Sequence, residues 1–132
     1  MPLPVSSGRT SFLRRMSCRV HVQRNGAYRI LRLEGSDFTP LQQAEFRSAV
    51  QGLLSTDDPS PLVLDTRDLD IVGSCCLAAL IDAAMACHRK TLPVSVLEDR
   101  LAVLEVFEVV SLPSLVEIRS TLVGWTAPGP LP

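Results

Sequence analysis

The sequence predicts a layered α/β domain: a mixed sheet of about five strands with helices packed on it, entered through an N-terminal β-hairpin and continued by βα units. Three observations predict it. Asn25-Gly26, between two segments of strand character, marks a hairpin because both residues tolerate positive φ. Residues 61–65, Pro-Leu-Val-Leu-Asp, form a short and nearly continuous apolar run, the kind buried on both faces of a sheet. From there on, apolar strands alternate with stretches whose apolar residues recur every three or four positions, which demands parallel crossovers.

Taken in order, residues 1–17 read as an irregular basic arm, with Pro2, Pro4 and Gly8 breaking any period. Val20 and Val22 alternate with polar residues, and residues 28–33 supply the second strand. Thr39-Pro40 is a helix start, with Thr39 as N-cap and Pro40 at the first helical position, where its missing N–H costs nothing. Leu41, Glu45, Ala49 and Leu53, flanked by Phe46 and Val50, give that helix its stripe, and Asp57-Asp58-Pro59 ends it. The 61–65 run becomes a central strand. Asp68, Asp70 and Gly73 then mark a loop, and Leu77, Leu80, Ile81, Ala84 and Cys87 predict a second helix running to Arg89-Lys90. A strand over residues 93–97, a helix over 99–108 and a strand over 115–118 complete the domain, set at residues 18–120. Residues 121–132 are a Pro-rich tail.

Composition narrows the function classes. At 132 residues, 46% hydrophobic and 20% charged, the chain holds one domain able to bury its own core without disulfides or metals. The net charge of −1 argues against a general nucleic-acid binder. Its distribution is uneven, since Arg9, Arg14, Arg15, Arg19, Arg24, Arg29 and Arg32 all precede the first acidic residue, Glu34. A solvated basic start is the plain reading of that arm, and contact with phosphates or an acidic partner is the functional one. No stretch has the apolar core of a signal peptide or the length of a membrane span, so a cytoplasmic protein without membrane insertion is expected. Cys18, Cys75, Cys76 and Cys87 lack metal-site spacing and would stay free thiols in a reducing compartment. No Gly-rich phosphate cradle occurs either, so no cofactor and no metal is expected.

The most informative segment is residues 61–84, PLVLDTRDLDIVGSCCLAALIDAA. An apolar strand ending in Asp, a short acidic loop and a helix opening on Ser resemble the STAS family, whose signature reads Asp-Ser-Ser/Thr-Gly-Leu. As an order of elements the resemblance covers about residues 19–118. Gly73 stands at the family's Asp, Ser74 at its first Ser, Cys75 at its second Ser or Thr, Cys76 at its Gly and Leu77 at its Leu. The resemblance implies an anti-sigma factor antagonist that regulates transcription by binding an anti-sigma factor, a serine kinase of the histidine-kinase-like ATPase type. It makes Ser74 the phosphoacceptor candidate, and makes Asp37, Asp68, Asp70, Gly73, Ser74, Cys75, Cys76 and Leu77 the partner-contacting set.

The residues support a second reading of each position. Ser74, just ahead of a helix beginning at Cys75, can act as an N-cap worth about 0.5–2 kcal/mol. A phosphoryl group there would add a charge of about −1.5 to −2 that a helix start tolerates and a docked partner surface does not. Gly73 removes a charge beside the acceptor and Cys75 removes a hydroxyl, which leaves a permanently unmodified binder as an alternative. Vicinal Cys75-Cys76 invites a thiol redox sensor, against which stand the tight packing of small cysteines and the strain of an i,i+1 disulfide. Asp65, Asp68 and Asp70 read as a solvated acidic loop in preference to a metal or phosphoryl pocket. His21 and His88 have no catalytic context, so an enzyme is not expected. A scaffold subunit of a larger regulatory or lipid-transport complex is the competing function, and homodimerisation stays open.

Overall fold

The computed structural model describes residues 19–36 and 38–121. Strand β1 (Arg19–Asn25) turns into β2 (Tyr28–Gly35), followed by α1 (Pro40–Leu54), β3 (Leu62–Leu69), α2 (Ser74–Arg89), β4 (Val94–Leu97), α3 (Leu101–Val109), a single 3-10 turn (Leu112–Ser114) and β5 (Glu117–Arg119). The five strands form one sheet in sequential order. β1 and β2 are antiparallel and every later pair is parallel. The mixed α/β architecture read from the sequence is thus the one observed, with the 61–65 run inside the middle strand.

Strand order dictates where the helices go. Each parallel crossover steps one strand in the same direction, and right-handed crossovers of that kind place every helix on one face. The core agrees: Leu31, Leu33, Leu62, Leu64, Val94 and Val96 from the sheet pack with Phe46 and Val50 of α1, Leu80 and Ala84 of α2, and Phe107 of α3. The alternate strand residues Tyr28, Ile30, Val63 and Leu97 form a separate buried cluster on the other face. Residues 62–66 are therefore buried on both faces, as a central strand requires.

Local chemistry fixes the element ends, with some shifts from expectation. The hairpin loop is Gly26-Ala27, one residue later than Asn25-Gly26, because Asn25 still pairs with Tyr28 and only Gly26 takes a positive φ, 62°. Positive φ at the first loop position alone is the II′ pattern, which needs one glycine and no Asn. Helix α1 starts as expected. Thr39 is its N-cap, Pro40 follows, and Gln42 completes a capping box, its backbone N–H donating to Thr39 Oγ1 at 3.4 Å. Its inward stripe is Gln42, Phe46 and Val50, while Leu41 is exposed. Phe38 meets Phe46 edge-on at 6.0 Å, tying the entry of α1 to its middle.

The far end of α1 is held by a buried cation. Arg29 of β2 donates to the carbonyls of Leu53, Asp58 and Ser60 at 3.0–3.2 Å, meeting the unpaired carbonyls at the helix end and the loop beyond. Hydrogen bonds from the Ser60 hydroxyl and backbone N–H, with Arg24 beside them, hold the Asp58 carboxyl down at about 2. The last strand comes later than the expected 115–118, because Pro113 and Ser111, at φ 58°, wind residues 112–114 into the 3-10 turn first. The expected arm, residues 1–17, Cys18 and the tail from 122 lie outside the described residues.

Candidate partner-binding site

Parallel strands β2, β3 and β4 all end at the same edge of the sheet, so the segments that leave them lie side by side. That edge is where open α/β sheets ordinarily present their functional loops. Gly35 and Leu69 pair across β2 and β3, and the Asp70 N–H donates to the Gly35 carbonyl at 2.9 Å. This ties the start of the 70–73 segment to the end of β2. Asp37, expected in the partner-contacting set, lies outside the described residues.

Asp68 is not a loop residue. β3 runs to Leu69 with a register irregularity opposite Arg32 and Glu34, so Asp68 pairs with Glu34 on the face away from the helices. There its carboxylate lies 2.9 Å from Arg32 Nε. Asp65 is likewise a strand residue, buried, and gripped at 3.0 and 3.1 Å by the guanidinium of Arg67, which raises the Arg67 pKa. Of the three acids expected in a loop, only Asp70 stands beyond the strand, exposed and without a side-chain hydrogen bond among the described residues, and its charge helps to raise the Arg100 pKa.

Ser74 is also one position further on than expected. Gly73 is the N-cap of α2, its carbonyl accepting from the Leu77 N–H at 3.0 Å, and Ser74 is the first helical residue. The hydroxyl therefore caps nothing: no side-chain cap closes this helix start, and the exposed Ser74 side chain has no hydrogen-bond partner among the described residues. Gly73 sits at φ −105°, an ordinary conformation for any residue, and a Cβ there would meet nothing within 4 Å. Cys75 and Leu77 are half-buried against the core and Cys76 is fully buried. The second half of the motif thus roots the helix, and its first half, Gly73-Ser74, faces outward. Cys87, on the buried face of α2, has its thiol pushed up to about 11 by desolvation, which disfavours the reactive thiolate.

The third segment of this edge was not visible in the sequence. Glu98, buried at the end of β4, accepts from Thr66 Oγ1 at 2.6 Å, from the Asp99 and Arg100 N–H groups at 3.1 and 3.0 Å, and from Arg100 Nε at 2.8 Å. Burial pushes its carboxyl up, and the hydrogen bonds from Arg100 and Thr66 outweigh that and bring it below the ordinary carboxylate range. Arg100, its own pKa raised by Glu98, reaches on to the carbonyls of Leu69 and Thr66. One carboxylate and one guanidinium thereby lock the β4 exit to the end of β3. A Glu-Asp-Arg triplet after a strand gives no sign of this, because the partners are some thirty residues away (|i−j| of 31 to 34).

A family model described as Mlab, STAS domain, matches residues 20–117. The chain belongs to the STAS domain family. In solved structures, this STAS domain superposes on an anti-sigma factor antagonist from Mycobacterium paratuberculosis with a TM-score of 0.70. The two are 17% identical, over 83% of this chain and 92% of that one. At that identity the likeness is one of fold. No curated protein sequence matches this STAS domain. Among its described residues no helix is long and apolar enough to cross a membrane.

Proposed function

We propose that this STAS domain is an anti-sigma factor antagonist that binds its anti-sigma factor through the exposed start of α2, with Ser74 as the point of control. The observation that carries the reading is the free hydroxyl of Ser74 in an uncapped first helical turn, on the family's signature segment. A helix start without a side-chain acceptor receives an anion readily, since its N–H groups and dipole favour negative charge. A phosphoryl group on Ser74 would leave the fold intact and place about two negative charges on the contact surface, beside Asp70. The partner is then a serine kinase as well as a binding protein, and the contact set is Asp70, Gly73 and Ser74 with the exposed flank of the first turns of α2.

The test is a pull-down from native extract with the unmodified chain and with Ser74→Glu, identifying the recovered proteins. An anti-sigma factor recovered by the first and lost by the second is the expected result. Equal recovery by both would sink the phospho-switch.

A second reading is favoured by one observation: Gly73, Cys75 and Cys76 replace three of five signature positions, and the matching family model is of the Mlab type. In that reading the same surface is a constitutive docking point in a scaffold or lipid-transport assembly. Recovery of transporter components with both chains would select it.

A further inference from the structure

Helix α3 departs from the ordinary pattern of a surface helix. Its sequence, Leu-Ala-Val-Leu-Glu-Val-Phe-Glu-Val, has seven apolar residues, two glutamates and no cation, so apolar side chains extend beyond the face that the core covers. Here only Phe107 is buried, with Val103 and Leu104 half-buried against the core. The opposite side is open: Leu101 is 72% exposed and Val109 82%, and Val106 and Val110 are exposed beside them. Ala102, Val106 and Val109 follow i, i+4, i+7 spacing, which aligns them in one stripe. Glu105 and Glu108 run along one flank, exposed, and neither carboxylate is engaged by another described group. The platform is firm, because Arg100 immediately before the helix is bound to Glu98, Thr66 and Leu69.

Charge selects among the occupants such a stripe could take. A second copy packed through the same helix would set Glu105 and Glu108 near their own equivalents, and neither helix carries a cation to offset them. An anionic bilayer surface is repelled for the same reason. We propose that the outer face of α3 is a docking surface for a cationic amphipathic helix of a partner protein. Apolar side chains of that helix at i, i+4, i+7 cover Val106 and Val109, and flanking Arg or Lys side chains pair with Glu105 and Glu108. The surface is distinct from the Ser74 turn and does not depend on the function proposed for it.

The test uses the full chain and two synthetic helices, one with Leu at i, i+4, i+7 and i+11 flanked by Arg, the other identical but flanked by Glu. In an NMR titration the Arg peptide is expected to shift the amides of residues 101–110 and to weaken with added salt, and the Glu peptide to leave them unchanged. Val109→Gln should reduce affinity about tenfold, in keeping with loss of a central apolar contact, and Glu105→Gln with Glu108→Gln should abolish most of the salt dependence. Melting curves of both variants check that the fold is retained, since these side chains point outward. Equal affinity for the two peptides, shifts centred elsewhere, or unchanged binding by Val109→Gln would overturn the proposal. So would binding that appears only after Arg14→Glu with Arg15→Glu, which would assign the face to the chain's own basic arm. Dimerisation lost in Val109→Gln would assign it to a second copy.

Discussion

Two neighbouring junctions at one edge of the sheet are built in opposite ways. At the β4–α3 junction, Glu98 and Arg100 saturate each other and the surrounding backbone, and the carboxylate is out of solvent. At the β3–α2 junction, Gly73 offers no side chain, Ser74 offers an unused hydroxyl, and the helix begins uncapped. The first arrangement buys rigidity through buried, charge-assisted hydrogen bonds, which are costly to break once made. The second leaves polar groups free at the surface, where a modification or a partner can engage them without disturbing the core. The proposed switch at Ser74 would thus act beside a junction that keeps the fold fixed.

The contrast is broken most severely at Glu98. Glu98→Ala removes the carboxylate that holds Arg100, Thr66 and two backbone N–H groups, while the half-exposed Arg100 keeps the Leu69 and Thr66 carbonyls, and is expected to cost about 1–3 kcal/mol. Urea unfolding measures it, and a loss under 1 kcal/mol would mean that the junction is not the anchor described. Acid offers a second route to the same group. The Glu98 pKa is lower folded than unfolded, so its contribution is complete above the unfolded value of about 4.3 and is lost as pH falls through the folded value. Stability should therefore decline below about pH 4.3 in the natural chain, and Glu98→Gln should flatten that part of the profile.

The open junction sharpens the comparison from the other side. Gly73→Asp places a capping carboxylate where a Cβ has free space, and is expected to stabilise the fold by about 0.5–1 kcal/mol. Thermal melts at two salt concentrations check this, with the gain shrinking at high salt. The smallest effect belongs to Ser74→Ala, expected within about 0.5 kcal/mol of the parent because the hydroxyl holds nothing. A loss above 1 kcal/mol would show that Ser74 caps the helix after all, as its sequence position alone suggests.

That last contrast shows where reading the residues stopped. Thr39-Pro40 could be assigned because a capping box is local: every group involved lies within four residues. Asp68 was displaced in role because its environment depends on how far β3 continues, and Ser74 because α2 takes Gly73 as its N-cap and begins one residue earlier. Pairing with β2 carries the strand through to Leu69 and brings Arg32 to Asp68, a contact no spacing announces. The stripe of α1 was shifted for a similar reason. Leu41 fits the period but is exposed, and Gln42 takes the inward position.

By itself the sequence determined the α/β class, the order of the elements, the doubly buried middle strand and the segment that carries the family signature. Those depend on the period of apolar residues and on caps and turns, which act between near neighbours. Only the tertiary structure decided that Glu98 and Arg100 lock one junction, that Ser74 stands free at the other, and that α3 turns an apolar face outward. Each of these depends on what residues distant along the chain cover or leave uncovered, and burial is a property of the packed whole.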